Sequence, residues 1–208
     1  MDNSGLFAGA GRTTINPPLG IKTVGFSSRE GVVERIESDL TSTAVVFALG
    51  DRRMAILAVD LCNPSIEMVT EWRAQVAAAI GTVPSHVMIN LSHTHSGPPL
   101  PGRNPEFCFQ DALIDGYYES LVPLVIESAR RANAALQPAR LAHGEGHSQI
   151  GINRREMGPD GYIFLGEDPP SRSTRWSVWC VLTTLTASPS RRCSATAATR
   201  LWWDLTRA

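Results

Sequence analysis

The stretch that most constrains the fold runs from Met54 to Leu91. Met54 to Leu61 is an apolar run of strand length. Asn63-Pro64 then opens a helix, with Asn63 as N-cap and Pro64 as first helical residue. Ile66, Val69, Arg73 (through its stem), Val76 and Ile80 recur near helical spacing, and Gly81 ends the helix. Pro84 leads into a second apolar run, His86 to Leu91. A strand, helix, strand passage predicts a parallel pair and an α/β architecture. Upstream, Thr41 to Leu49 is β-branched and apolar, and Gly50-Asp51 makes a turn. This predicts a hairpin with the Met54 run. The expected fold class is α/β: a mixed sheet with flanking helices.

The second run ends in Ser92-His93-Thr94-His95-Ser96-Gly97-Pro98-Pro99. On an extended backbone, residues i and i+2 face the same side. His93 and His95 are therefore expected to converge just past the carboxyl end of a strand, where open α/β sheets place their ligands. Imidazole is both a common metal ligand and the side chain suited to proton transfer near neutral pH. A pair of histidines can also be merely structural, and a catalytic zinc needs about three protein ligands plus a position for water. Asp60, ending the Met54 run, either joins such a site or anchors the loop that follows. His143 and His147 flank Gly144-Glu145-Gly146, which is not HExxH, and are expected as surface or turn residues. His86 stands at the wrong end of its strand.

The formal net charge of -1 and pI near 6.5 give no footing for nucleic acid or an anionic membrane surface. No apolar run reaches the roughly 18 residues of a spanning helix. The N-terminus has no basic region followed by an apolar stretch, so no secretory signal is seen and a cytoplasmic location is the default expectation. Cys62, Cys108, Cys180 and Cys193 show no CxxC spacing and are expected as free or buried thiols. Gly9-Ala10-Gly11-Arg12-Thr13-Thr14 lacks the third glycine of a dinucleotide loop. Asn16 to Gly20 reads as a turn, and Gly25 to Gly31 as a polar loop. Gly97 to Gln110 reads as an ordered loop over the site. Asp111 to Leu136 is expected as a long helix kinked at Pro123. Its buried face is marked by Leu113, Tyr117, Leu121, Leu124 or Val125, Ser128 or Ala129, Ala132 and Leu136. Glu127 and Arg131 form an i,i+4 pair on its surface. Ala139 to His143 and Gln149 to Asn153 read as short strands around a turn.

From Ser171 onward the composition changes. All 17 glycines precede this point, four of the five tryptophans follow it, and six arginines stand against one acid, Asp204. No helical or strand period holds for long, an inconsistency unusual for a native fold. Read one nucleotide earlier, Trp203-Asp204 permits Val-Gly. Cys193 to Asp204 permits Val-Phe-Ser-Tyr-Gly-Cys-His-Pro-Val-Val-Val-Gly. A frameshift near Pro169 to Arg172 is therefore expected, dividing the chain into residues 1–168 and an aberrant tail, 169–208. Stop codons in the shifted frame of the genomic DNA would rule it out. A natural, poorly ordered C-terminus is the alternative.

Several stretches together resemble the N-terminal part of the neutral/alkaline, non-lysosomal ceramidase family. They are Ala8 to Gly20, Ala58-Val59-Asp60-Leu61, Ser92 to Pro98, and Ile152-Asn153-Arg154-Arg155, in the family's order and roughly its spacing. The resemblance covers about residues 8 to 168 and implies an incomplete catalytic domain. It implies zinc-dependent hydrolysis of the amide of N-acylsphingosines, giving a fatty acid and a sphingoid base. It implies His93 as zinc ligand, His95 beside the metal in substrate binding and proton transfer, and Arg154 in the substrate site. The implied partner is a ceramide-like lipid, reached at a membrane surface without a spanning segment; some family members are secreted. The family's second zinc histidine lies in a Cys-His-Pro block, which only the shifted frame permits, where Ala198-Thr199-Arg200 now stand. Its glutamate and tyrosine ligands lie further downstream. The chain as written is accordingly expected to show neither metal nor turnover until a longer, frame-corrected form supplies them. Two other readings stand beside this one: a non-catalytic fragment that binds lipid or a partner, and a different metal hydrolase built on His93, His95 and Asp60.

Overall fold

The computed structural model describes residues 5–26, 29–101, 112–147, 153–166, 176–184 and 194–195. The described residues fall into two compact units, one mainly within Met1–Ala139 and one mainly within Arg140–Thr183, to which Ser194–Ala195 also belongs. The first unit carries a mixed five-stranded sheet, in the order β4-β3-β2-β1-β5. Its strands are β1 (Leu6–Thr14), β2 (Thr41–Leu49), β3 (Arg52–Val59), β4 (Val87–Leu91) and the start of β5 (Gln137–His147). Helices α1 (Ile66–Ile80) and α2 (Ala112–Ala134) flank it. The α/β class expected from the sequence is the one observed.

The hairpin forms as predicted: β2 and β3 pair antiparallel from Ser42↔Val59 to Leu49↔Arg52, and Gly50 takes a positive φ of 56° in the turn. The strand, helix, strand passage gives the parallel pair, with Ala55↔Val87 through Val59↔Leu91 in register. α1 starts two residues later than expected. Its N-cap is Ser65, whose hydroxyl accepts from the Met68 amide at 3.3 Å. Asn63 and Ser65 are both good caps, and only the second places an oxygen over the third helical amide. Gly81 ends the helix at φ 74°, ψ 49°, the left-handed conformation that glycine adopts without a Cβ penalty.

One face of the sheet is sealed. Ala44, Val46, Ala55, Leu57 and Val59 are buried against Trp72, Val76 and Ile80 of α1 and Ile114, Leu121, Val125 and Ala129 of α2. Leu113, expected on the buried face of α2, is 43% exposed; its neighbour Ile114 takes that place. The other face of β2 and β3, including Phe47 and Ile56, stays half-buried and Met54 is exposed. Tyr117 is buried and donates to the Ile15 carbonyl at 2.7 Å, and burial raises its phenol pKa. The Glu127–Arg131 pair forms at 2.9 Å on the surface.

Nothing in the residue pattern points to β1. Glycines weaken strands by propensity, yet Gly9 and Gly11 lie in a nine-residue strand paired along its whole length with β2. Their reason is contact with α2. A Cβ on Gly9 would lie 2.2 Å from the Ala132 carbonyl oxygen, and one on Gly11 2.3 Å from that of Ser128. The helix thus rests directly on the strand backbone. Thr13, next on that face, donates to the Leu124 carbonyl at 2.8 Å. Gly11→Ala must push backbone from backbone, so it is expected to destabilise by about 3 kcal/mol, the upper part of the overpacking range. Ala10→Ser, on the exposed side of the same strand, should change stability by less than about 0.5 kcal/mol. Urea denaturation of the two variants checks this.

The second unit differs from expectation at residues 144–146. β5 runs through Gly144-Glu145-Gly146 to His147 instead of turning there. β6 (Arg155–Met157) and β7 (Ile163–Leu165) form an antiparallel hairpin, closed by Gly161 at φ 80°. β8 (Trp176–Thr184) pairs antiparallel with β9 (Ser194–Ala195). The expected strand at Gln149 to Asn153, most of the loop to Gln110, and most of the tail lie outside the described residues.

Candidate metal centre

β3 and β4 are parallel neighbours, so their carboxyl ends finish side by side. Each is followed by a short backbone excursion stitched to the other. Ser92 donates its amide to the Val59 carbonyl at 3.1 Å, and His93 its amide to that of Leu61 at 3.0 Å. This brings Cys62, three residues beyond β3, against His93 and His95, just beyond β4. One donor atom from each of the three lies within 4.8 Å of the other two. Cys62 is buried, His93 exposed and His95 between.

The two imidazoles do converge, with ring centroids 5.1 Å apart and planes at 71°. The cause differs from the strand alternation expected. β4 ends at Leu91, and His93 adopts a positive φ of 55°. That left-handed conformation is uncommon outside glycine, costs of order 1 kcal/mol, and concentrates at functional sites. It folds the chain back, so the pair meets across a turn.

His93 Nδ1 has two neighbours, the Cys62 carbonyl oxygen at 3.0 Å and the Cys62 Sγ at 3.6 Å. As an N–H it donates to the carbonyl, which fixes the ring and leaves Nε2 as a lone pair. Burial pushes the Cys62 thiol above its ordinary pKa.

His95 is held from the opposite side by the loop that follows Ile21. The edge of Phe26 meets its ring at 4.9 Å. Arg29 lies over Phe26 with its guanidinium carbon 4.8 Å from the ring centroid. The same guanidinium donates to the Thr23 hydroxyl at 2.7 Å and to the His95 carbonyl. Gly25, at φ 108°, backs onto the imidazole so closely that a Cβ would lie 2.2 Å from His95 Cγ. Gly25→Ala is therefore expected to cost about 1–3 kcal/mol from backbone strain alone and to displace the ring. A shift of the His95 imidazole proton resonances would show the displacement.

Asp60 is not part of this group. Its Oδ2 accepts from both the amide and the hydroxyl of Thr41, each at 2.9 Å. It anchors the end of β3 to the start of β2, and a His93, His95, Asp60 ligand set is not brought together. Arg154 belongs to the second unit, where its Nε donates to the Gly166 carbonyl at 2.6 Å and ties the two ends of the β6–β7 hairpin. Cys62 is the residue that sequence reasoning missed. No motif links positions 62 and 93; only the predicted parallel pairing of their strands could have pointed to it.

Beside the histidine turn lies an open cleft lined by Val33, Ile36 and Leu40 together with Thr23, Arg29 and Ser96. Among the described residues, no helix is long and apolar enough to cross a membrane.

No protein-family model matches the chain. Its fold is similar to that of neutral ceramidase from Pseudomonas aeruginosa, with a TM-score of 0.58 and 20% identity over 89% of this chain and 30% of that one. A ceramidase structure in complex with C2 matches with a TM-score of 0.57 and 23% identity, over 88% of this chain and 29% of that one. The chain therefore has a ceramidase-like fold over less than a third of the length of these structures.

Proposed function

We propose that the chain is the amino-terminal part of a zinc-dependent amide hydrolase that cleaves N-acylsphingosines to a fatty acid and a sphingoid base. The observation that carries this reading is the convergence of His93 and His95, with Cys62, at the carboxyl ends of two parallel strands, on a fold like that of neutral ceramidase. The donor set suits zinc, which takes imidazole and thiolate.

His93 is proposed as a metal ligand. His95 stands beside it and carries the proton to the leaving amine, a task for an imidazole near neutral pH. Arg154 holds the substrate, its guanidinium suited to developing negative charge. Zinc, when bound, supplies an acidified water and a polarised carbonyl. The cleft beside the turn is part apolar and part polar, its Arg29 and Arg35 matched by Glu30 and Glu37, a lining that suits a lipid with an uncharged amide head. The remaining ligands are proposed to come from beyond this stretch, beginning with the Cys-His-Pro block that the shifted frame permits at Ala198-Thr199-Arg200.

The test is hydrolysis of a fluorescent ceramide by the frame-corrected, full-length protein. Turnover that a chelator abolishes and zinc restores supports the reading; chelator-insensitive turnover, or none with zinc bound, overturns it.

A further inference from the structure

We propose that Arg29 is a positioning residue for the proton-carrying His95, acting through Phe26 and through the His95 backbone. This rests on the reading of His95 as the proton carrier and names what orients its imidazole. The two histidines are held differently. The His93 ring is turned by the hydrogen bond from its Nδ1 to the Cys62 carbonyl. The His95 ring is turned by packing: the Phe26 ring stands against it at 4.9 Å and 79°, and the Gly25 backbone closes a second side. Phe26 is itself 56% exposed, so the core does not fix it. Arg29 does.

The contacts form a closed circuit. Arg29 donates its amide to the Phe26 carbonyl at 3.2 Å, which brings its side chain back over that residue. The guanidinium carbon then lies 4.8 Å from the Phe26 centroid, within the reach of a cation–π attraction. Nη1 donates to the Thr23 hydroxyl at 2.7 Å and to the His95 carbonyl. Donors on a charged group make the stronger hydrogen bonds. One side chain thus grips both the aromatic ring that faces the imidazole and the backbone that carries it. The Val24 amide donates to the Gly97 carbonyl at 3.0 Å and ties the two segments independently. Loss of Arg29 therefore frees the rings without detaching the loop. Arg29 is exposed and takes no part in the hydrophobic core. Proton transfer is what depends on it: an imidazole must meet its partner within hydrogen-bond reach, and a misplacement of about 1 Å can cost about a hundred-fold in rate.

Two measurements test this. In the 208-residue chain, nuclear Overhauser contacts should join the Phe26 and His95 rings. Arg29→Ala should abolish them, with the methyl resonances of Val76 and Leu121 in the core unmoved. In the frame-corrected, full-length protein, Arg29→Ala and Phe26→Leu should each lower kcat by about ten- to a hundred-fold with KM unchanged, the pattern of an interaction made only in the transition state. Zinc content should stay the same. Ring contacts that persist in Arg29→Ala, a kcat kept in either variant, or a raised KM with kcat kept overturns the proposal. So does loss of zinc along with turnover, which would make Arg29 a support of the metal and not of the imidazole. A full-length protein without zinc-dependent turnover overturns the hydrolase reading and the positioning role with it. Kept ring contacts or kept kcat in variants of an active protein overturn the positioning role alone.

Discussion

Trp72→Ala is expected to destabilise the first unit by about 3–5 kcal/mol, the range for truncating a large buried aromatic. Trp72 is fully buried on α1 and stacks on Tyr118 of α2, with ring centroids 6.3 Å apart. It is the largest side chain in a core shared by both helices and the sheet. Neither helix can settle into the vacated space without leaving β1 or β4. Domain stabilities are of order 5–15 kcal/mol, so this one truncation removes a large fraction of the total. Trp72→Phe separates packing from polarity. Trp72 Nε1 is buried with no acceptor among the described residues, and phenylalanine removes that orphaned donor while keeping most of the ring. The phenylalanine variant should lose less than half as much. Urea denaturation midpoints give both numbers, and equal losses would locate the effect outside packing.

His93→Ala is expected to lower ceramide hydrolysis by the full-length protein by more than about a hundred-fold. Residues that merely orient metal ligands are worth 10–100-fold, and a ligand should exceed them. The loss should come with lost zinc and little lost stability, because His93 is exposed and its turn is held by backbone bonds that alanine keeps. Zinc content by elemental analysis, beside turnover, checks the pairing of the two effects. Full zinc occupancy with lost turnover would assign His93 a different role.

Much of this arrangement was legible in the residues. The hairpin, the helix ending at Gly81 and the strand before the histidines follow from apolar runs cut by Gly, Asn and Pro, and they fix the parallel pair that positions the site. What stayed hidden was set by contacts distant in sequence. Gly9 and Gly11 gave no sign of a strand because that strand is justified only by the helix backbone pressed against them, more than a hundred residues later. The histidine pair was read correctly as converging but for the wrong local reason, since the turn at His93 is held by bonds to the loop after β3. Cys62 could not be singled out by spacing, because 31 residues and a whole helix separate it from its partner. Asp60, equally well placed in sequence, is claimed by Thr41, a competition visible only once β2 and β3 pair.

The most direct measurement is calorimetric titration of zinc into the frame-corrected, full-length protein and into its His93→Ala variant. The account predicts saturable zinc uptake by the unaltered full-length protein and none by the folded His93→Ala variant. Equal uptake by the two proteins would place the metal away from His93 and contradict it.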